Sequence, residues 1–124
     1  MGYMFYRAVS FDQPIGNWDT SKVTDMGNMF NSARQFNQPI GNWDTSIVIN
    51  MKSMFNNAAA FNQTIGDWNT SNVTDVSSMF NSAASFNQNL SSWDVANVTS
   101  LINFNTNANP VWVNNSAYQP NFIP

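Results

Sequence analysis

A stripe of acidic and amide side chains, recurring once every 25 residues, is the first place in this sequence where chemistry could occur. Its members fall in two nearby columns of the repeat: Asn17, Asp19, Asn42, Asp44, Asp67, Asn69, Ser92 and Asp94. Carboxylate and amide oxygens are the ligands that Ca²⁺ prefers, and calcium would offset a repulsion of about 1 kcal/mol between neighbouring carboxylates. The spacing matches no known calcium loop, however, and the nine-residue glycine-rich calcium repeats are absent. The stripe is the best candidate in the sequence for an outward binding surface. The interpretation favoured over it is a row of solvated acids that accept hydrogen bonds from nearby turn amides.

Another column of the repeat, separate from the stripe, holds only tryptophan. Its members are Trp18, Trp43, Trp68 and Trp93. Aromatic faces at regular intervals would suit a polysaccharide, because sugar rings stack on them. Each Trp, however, follows an Ile or Leu by three residues and alternates with polar neighbours, which favours burial, with the indole N–H needing a partner.

Catalysis is disfavoured by the residue types present. The chain has no His, no Cys and no Glu, and its few Asp residues recur in repeat columns instead of converging in one pocket. No acid, base or nucleophile is therefore set apart from the scaffold. We expect no enzyme activity, no catalytic residue, no metal site and no cofactor.

The composition also narrows the class of partner. With 124 residues, of which 43% are hydrophobic, the chain can bury a core as one folded unit. Charged residues make up 9%, and a net charge of −3 is too thinly spread for a nucleic-acid or membrane-surface footprint. No apolar run approaches the roughly 20 residues that span a bilayer, and because Met1 already lies inside the repeat we expect any export signal to be absent or cut off. We expect a macromolecular partner, protein or glycan, with no nucleic acid and no membrane insertion.

The 25-residue period specifies how the chain is organised. Met-Phe recurs at Met29-Phe30, Met54-Phe55 and Met79-Phe80, and no insertion breaks the register. A period of this length predicts a solenoid in which equivalent side chains lie above one another and share one core. Residues 1–101 are predicted to form four coils. Residues 102–124 are predicted to form a degenerate repeat and a C-terminal cap, in which Pro110, Pro120 and Pro124 preclude a long helix.

Each coil is predicted to contain one short helix. Val23, Met26, Met29-Phe30 and Ala33 are spaced by three and four, which is typical of an apolar helical face. The column before Met26 contains residues suited to the N-cap of that helix: Asp25, Asn50, Asp75 and Ser100.

A short strand is predicted in each coil after the helix. Pro14 and Gly16 forbid a continued helix, whereas Trp18 and Thr20 lie two residues apart, as an extended segment requires. The Thr20 column becomes Val in Val95, which indicates that it points inward. Stacked strands would form a parallel sheet with a spacing of about 4.8 Å. The fold class expected is an α/β solenoid, a right-handed coil like that of leucine-rich repeats.

An invariant glutamine column is interpreted as structural. It comprises Gln13, Gln38, Gln63 and Gln88. Stacked side-chain amides can each donate to the next amide and accept from the previous one. Specificity is expected in the variable columns instead, of which one reads Lys22, Ile47, Asn72 and Asn97.

The repeat string resembles a known family. Residues 36–46, Phe-Asn-Gln-Pro-Ile-Gly-Asn-Trp-Asp-Thr-Ser, running on to Val48, Met51 and Met54-Phe55, resemble the BspA-like leucine-rich-repeat family of bacterial surface proteins. The resemblance covers roughly residues 1 to 101. It implies a secreted or cell-surface protein associated with adhesion and partner binding.

The function expected is a non-catalytic, surface-displayed binding or adhesion module, located outside the cell or at its surface. The alternative is a structural assembly protein whose chains stack end to end, or dock on a virion or cell-surface filament. That alternative follows from Met1, which begins in a helix-start column with no capping segment before it.

Overall fold

The computed structural model describes residues 1–122 and has almost no regular secondary structure. Its helices are α1 (Pro110–Val113) and a 3₁₀ helix (Ser116–Tyr118). Within residues 1–122 there is no strand, and β-type pairing between repeats is limited to three isolated parallel bridges: Asp25 with Asn50, Asn50 with Asp75, and Asp75 with Ser100. The predicted leucine-rich-repeat-like α/β solenoid, with a helix, a strand and a parallel sheet, is therefore wrong.

Tight turns take the place of the predicted helix. We number the repeats from residues 1–25, 26–50, 51–75 and 76–100. In repeat two, the amides of Met29, Asn31 and Ala33 each donate to the carbonyl three residues back, at 3.0 to 3.2 Å. The intervening amides donate to repeat three instead, at 2.7 to 2.9 Å: Asn28 to Lys52, Phe30 to Met54, and Ser32 to Asn56. An α-helix would require each amide to bond the carbonyl four residues back, so alternating turns and cross-repeat bonds exclude it.

Left-handed backbone positions explain why these turns form. Asn28 and Ser32 have φ angles of 57° and 61°, and the same two positions are left-handed in every repeat. The complete set is Tyr3, Arg7, Asn28, Ser32, Ser53, Asn57, Ser78, Ser82, Asn103 and Asn107. Such φ values are uncommon outside glycine, with Asn among the residues that adopt them most readily, and they are incompatible with a right-handed helix. A left-handed residue every fourth position therefore divides residues 26–33 into consecutive turns.

Equivalent aromatic side chains of successive repeats lie above one another, as predicted. Phe30, Phe55 and Phe80 form one row, with ring centroids 5.7 and 5.5 Å apart. Phe36, Phe61 and Phe86 form a second row, with spacings of 6.0 Å. All six side chains are fully buried. Burial of one such side chain contributes about 1.5 to 3 kcal/mol. Because each row is built from side chains of successive repeats, the core exists only where repeats meet.

Side chains, and not strands, join the repeats in the segment where a strand was predicted. In residues 14–20, 39–45 and 64–70, no backbone amide bonds a neighbouring repeat. The hydroxyls of Thr20, Thr45 and Thr70 instead donate to a carbonyl of the next repeat at 2.9 to 3.0 Å. These threonines are buried, which confirms that the column points inward.

The predicted N-cap column supports turns. The side-chain oxygens of Asp25, Asn50 and Asp75 each accept from the backbone amide two residues further on, at 2.7 to 2.9 Å. The preference of these residue types for a free amide was therefore read correctly, but the structure that follows is an Asx turn.

The C-terminal segment covers the last repeat. Trp112 of α1 is fully buried and packs edge-on against Phe80 and Phe86, with centroids 5.2 and 4.9 Å away. Its indole Nε1 donates to the carbonyl of Gln88 at 2.9 Å. The predicted breaker Pro124 lies outside the described residues. Among residues 1–122, no helix is long and apolar enough to cross a membrane.

Candidate functional site

The two columns of the predicted stripe are all exposed, but they differ in what their side chains do. In the column of Asp19, the side chains of Asp19, Asp44 and Asp94 accept through Oδ1 from the backbone amide two residues later, at 2.9 to 3.0 Å. Asn69 does the same through its amide oxygen at 3.0 Å. One oxygen of each side chain in this column is therefore committed to an Asx turn, as the favoured interpretation of the stripe holds.

Hydrogen bonds hold two of these carboxylates in their charged form. The Ser21 hydroxyl and backbone amide donate to Asp19 Oδ1 at 2.6 and 3.0 Å and lower the pKa of Asp19 below its ordinary value. Hydrogen bonding from Ser46 lowers the pKa of Asp44, against smaller opposing effects of desolvation and of the charge of Asp19. Both carboxylates are solvated, and neither is set up to exchange a proton near neutral pH.

The column of Asn17 presents free side chains. Asn17, Asn42 and Asp67 are exposed, and their side chains form no hydrogen bond with any residue of the described range 1–122. In the fourth repeat the equivalent Ser92 differs, because its hydroxyl donates to the carbonyl of Gly66 at 3.0 Å. Three successive repeats therefore offer unused polar groups at one position.

These free side chains line a groove that crosses three repeats. The groove has a volume of about 560 Å³. Its lining includes Asn17, Asn42 and Asp67 together with Pro14, Pro39 and Thr64. Gly16 and Gly41 also contribute to its lining, whereas no aromatic side chain does. Equivalent residues recur along the groove, so it runs along the direction in which the repeats stack.

The glycines in the groove are required by a close approach of backbones. A Cβ atom built on Gly41 would lie 2.6 Å from the carbonyl oxygen of Thr64, and one on Gly16 would lie 2.8 Å from that of Pro39. Real Cβ atoms essentially never approach a backbone oxygen so closely. In the fourth repeat the position is Ser91. Sequence reasoning used these glycines only as helix breakers and missed their contact with the next repeat. The change from Gly to Ser in repeat four was the available signal.

Three of the four tryptophans in the column are buried and unavailable for stacking on sugars. Trp43, Trp68 and Trp93 are each 4% exposed. Their indole nitrogens donate to carbonyls of the preceding repeat at 3.0 to 3.1 Å: Ile15, Ile40 and Ile65. The prediction of a core role that needs an N–H partner is confirmed for these three tryptophans and is wrong for Trp18. Trp18 is 40% exposed, because repeat one has no repeat before it in the structure.

The glutamine column does join repeats, but through a different partner from the one predicted. Gln63 Nε2 donates to the carbonyl and the side-chain oxygen of Asn37, at 3.1 and 3.0 Å. Gln88 bonds Asn62 in the same way. The backbone amide of Asn62 also donates to Asn37 Oδ1, at 2.9 Å. The predicted chain of glutamine amides is therefore replaced by a Gln-to-Asn ladder.

A separate, more apolar surface lies on the variable column. Ile47 and Ile49 are 42% and 49% exposed and contribute to a shallow depression of about 500 Å³. At the position of Ile47, later repeats carry Asn72 and Asn97, whose side chains donate to a carbonyl of the preceding repeat at 2.7 Å. The Ile47 side chain cannot make such a bond, so repeat two lacks the hydrogen bond to its preceding repeat that repeats three and four make at this position.

The arrangement is suited to hydrogen bonding with a long ligand. Among residues 1–122, no group of three or more Asp, Glu, His or Cys side chains is placed to hold a metal ion. The groove instead offers a row of amide and carboxylate groups that face solvent. Such groups can donate to and accept from a partner that crosses several repeats.

Comparisons with known proteins give one family. A family profile described as "Mycoplasma protein of unknown function, DUF285" matches residues 1–118. No curated protein and no solved structure matches the chain.

Proposed function

We propose that this chain, which belongs to the DUF285 family, is a non-catalytic binding or adhesion module displayed on the surface of a cell or particle. Its partner is macromolecular, and the chain acts outside the cell. Kinship with BspA-like surface proteins is part of the proposal. It is supported by the joint recurrence of Phe-Asn-Gln, Trp-Asp-Thr-Ser and Met-Phe at fixed distances.

The observation that carries the proposal is the row of Asn17, Asn42 and Asp67 along the groove. These side chains are exposed and take no part in hydrogen bonds within residues 1–122, whereas most polar columns of the repeat are used to hold the fold. Exposed polar residues that do not serve the fold are free to serve recognition. Because the buried rows below them fix the repeats in register, the row is organised before any partner arrives.

A binding role is also favoured over catalysis by the equivalence of the repeats. Each carboxylate of the Asp19 column meets the same kind of donor, an amide two residues later. An active site needs an acid, base or nucleophile whose surroundings differ from those of its neighbours. A partner that contacts several repeats needs the opposite, namely one local environment presented several times.

End-to-end assembly is the alternative, and the two ends of the stack support it unequally. In repeat one, Met4 is 50% exposed, whereas its equivalents Met29, Met54 and Met79 are buried, which favours association. At the other end Trp112 covers the last repeat, and Ser91 replaces the glycine that close stacking requires. The particle mass across a concentration series separates the two functions. A constant monomer supports display, and growing polymers support assembly.

Attachment of coated beads tests the proposed function directly. Beads carrying the intact chain are expected to attach to cell monolayers or matrix-coated surfaces. The triple variant Asn17→Ala, Asn42→Ala, Asp67→Ala is expected to lose that attachment with an unchanged thermal midpoint. Ser85→Ala, at an exposed position outside the groove, is the matched control. Equal attachment by the triple variant and the control would contradict the proposal.

A further inference from the structure

We infer that the groove binds an extended, basic peptide segment of a partner protein, with one dipeptide of the partner per repeat. The inference rests on the proposed function and specifies the partner for the same surface. It is carried by the spacing of the repeats, the hydrogen-bonding capacity of the row, and the charge of its surroundings.

In the column next to the row, the repeat spacing is close to that of an extended chain and wider than the 5.5 to 6.0 Å between rings of the Phe rows. The column next to the row is that of the tryptophans, whose ring centroids are 6.5 Å apart from Trp43 to Trp68 and 6.4 Å from Trp68 to Trp93. An extended peptide advances 3.2 to 3.4 Å per residue, or about 6.6 Å per two residues. A peptide lying along the groove therefore presents an equivalent backbone group to each successive repeat.

The side chains of the row match what a peptide backbone offers. Each residue of an extended peptide directs its N–H donor and its carbonyl acceptor to the same side, and an Asn side chain offers both complementary groups in one plane. Asn17 and Asn42 can thus each pair with one peptide residue, and the Asp67 carboxylate can accept from the N–H of a third. Main-chain hydrogen bonding of this kind gives affinity without requiring a deep apolar pocket.

The charges near the groove favour a basic segment. Asp67 lines the groove, and the adjacent column places Asp19, Asp44 and Asp94 on the exposed surface. None of the four cationic side chains, Arg7, Lys22, Arg34 and Lys52, contributes to the lining. Lys or Arg side chains of the partner would therefore meet uncompensated carboxylates, which promotes association at low ionic strength.

A glycan is less well suited to this groove. The aromatic column that could stack on sugar rings is buried, with Trp43, Trp68 and Trp93 each 4% exposed, and the groove lining contains no aromatic side chain. Binding of sugars would depend on hydrogen bonds alone, in competition with water.

The test begins with selection of decapeptides from a random library on the intact chain, alongside a glycan array probed with the same protein. Selected peptides are resynthesised at lengths of four, six, eight and ten residues, and Kd is measured by fluorescence anisotropy. Because the groove spans three repeats, affinity should rise up to about six residues and change little beyond that.

Backbone N-methylation tests the proposed register. Methylation of peptide nitrogens one at a time removes single N–H donors. We expect Kd to rise about tenfold at every second position and to stay nearly constant at the positions between them. A flat profile, or one without a two-residue period, overturns the inference.

Protein variants test the location. Asn42→Ala should weaken peptide binding about tenfold, while Ser85→Ala leaves it unchanged. Failure to select any peptide, or equal affinity of the two variants, also overturns the inference. If a glycan binds instead, and Asn42→Ala abolishes that binding, the peptide assignment fails while the proposed binding function stands. If Asn42→Ala affects neither peptide nor glycan binding nor bead attachment, both fail.

Discussion

The indole Nε1 of Trp68 donates a hydrogen bond to the carbonyl oxygen of Ile40 in the preceding repeat, at 3.1 Å. The same contact recurs from Trp43 and from Trp93, so one side chain per repeat both fills the core and satisfies a carbonyl of its neighbour. Contacts between successive repeats therefore stabilise the chain, and each kind of contact can be tested against a repeat in which it is missing.

Trp68→Phe should destabilise the chain by about 1 to 2 kcal/mol, because it removes the bond to Ile40 and part of a buried ring system. The matched control is Trp18→Phe. Trp18 is 40% exposed, and its indole makes no hydrogen bond within residues 1–122, so we expect a change below about 0.5 kcal/mol. Urea denaturation measures both free energies of unfolding. Equal losses at the two positions would refute the role given to the cross-repeat bond.

Gly41→Ala should destabilise by about 2 kcal/mol or more, because its Cβ would lie 2.6 Å from the carbonyl oxygen of Thr64. Ser91→Ala at the equivalent position of repeat four should have little effect, because Ser91 is exposed and already carries a Cβ. Thermal melts of both variants provide the comparison. A stable Gly41→Ala protein would mean that the repeats stack less closely than described.

Replacement by aspartate should change the thermal midpoint at Asn87 but not at Asn62. Asn62 Oδ1 accepts from the Asn87 amide and from Gln88 Nε2, at 2.8 and 3.0 Å, whereas Asn87 Oδ1 is buried with no donor within residues 1–122. In repeat one an aspartate, Asp12, already accepts the two equivalent bonds. We expect Asn62→Asp to retain the thermal midpoint at pH 7 and Asn87→Asp to lower it, because a buried charge without a donor is costly. A tolerated Asn87→Asp would show that the oxygen is satisfied in solution.

Much of this organisation was predictable from the sequence, and the reason is the period itself. A fixed spacing between Phe30, Phe55 and Phe80 leaves stacking as the way to bury all three, and burial of the Trp column followed from its alternation with polar residues. The exposure of Asn17 and Asp19 was predictable for the same reason.

The local backbone was not predicted, because two structures share one hydrophobic pattern. Apolar residues at Met26, Phe30 and Ala33 suit a helical face, but consecutive turns also bring them to one side. The distinguishing signal was the small polar residues at the positions of Asn28 and Ser32 in repeats two, three and four. Their side chains resist a left-handed backbone less than most, so their recurrence favoured turns. The prediction of a strand in residues 14–20 was wrong, because the hydroxyl of Thr20 and the indole of Trp43 make the cross-repeat hydrogen bonds that the backbone amides of a strand would have made.

The stability of the chain should fall as the pH is lowered into the acid range. The folded-state pKa values of Asp19 and Asp44 are depressed by hydrogen bonds from Ser21 and Ser46, so the stabilisation is present above the unfolded pKa and is lost as the pH falls through the folded one. The loss should set in as the pH falls through the unfolded-state pKa of aspartate, about 3.9, and be complete below the depressed folded-state pKa values. Asp44→Asn keeps the acceptor oxygen that Asn69 uses in repeat three, and should therefore retain the fold at pH 7 with a flatter acid dependence. A pH series of thermal midpoints reads both effects. An unchanged slope in Asp44→Asn would contradict the assignment.

The central claim is that Asn17, Asn42 and Asp67 are left free by the fold and are used by a partner. The most direct measurement follows the side-chain amide NMR signals of Asn17 and Asn42 during titration with the tightest-binding hexapeptide. The signal of Asn50, whose Nδ2 donates to Asp25 Oδ1 at 3.1 Å, serves as the internal reference. We predict that the signals of Asn17 and Asn42 shift and saturate together while that of Asn50 stays in place. Shifts confined to Asn50 and the surface around Ile49, with Asn17 and Asn42 unmoved, would contradict the claim.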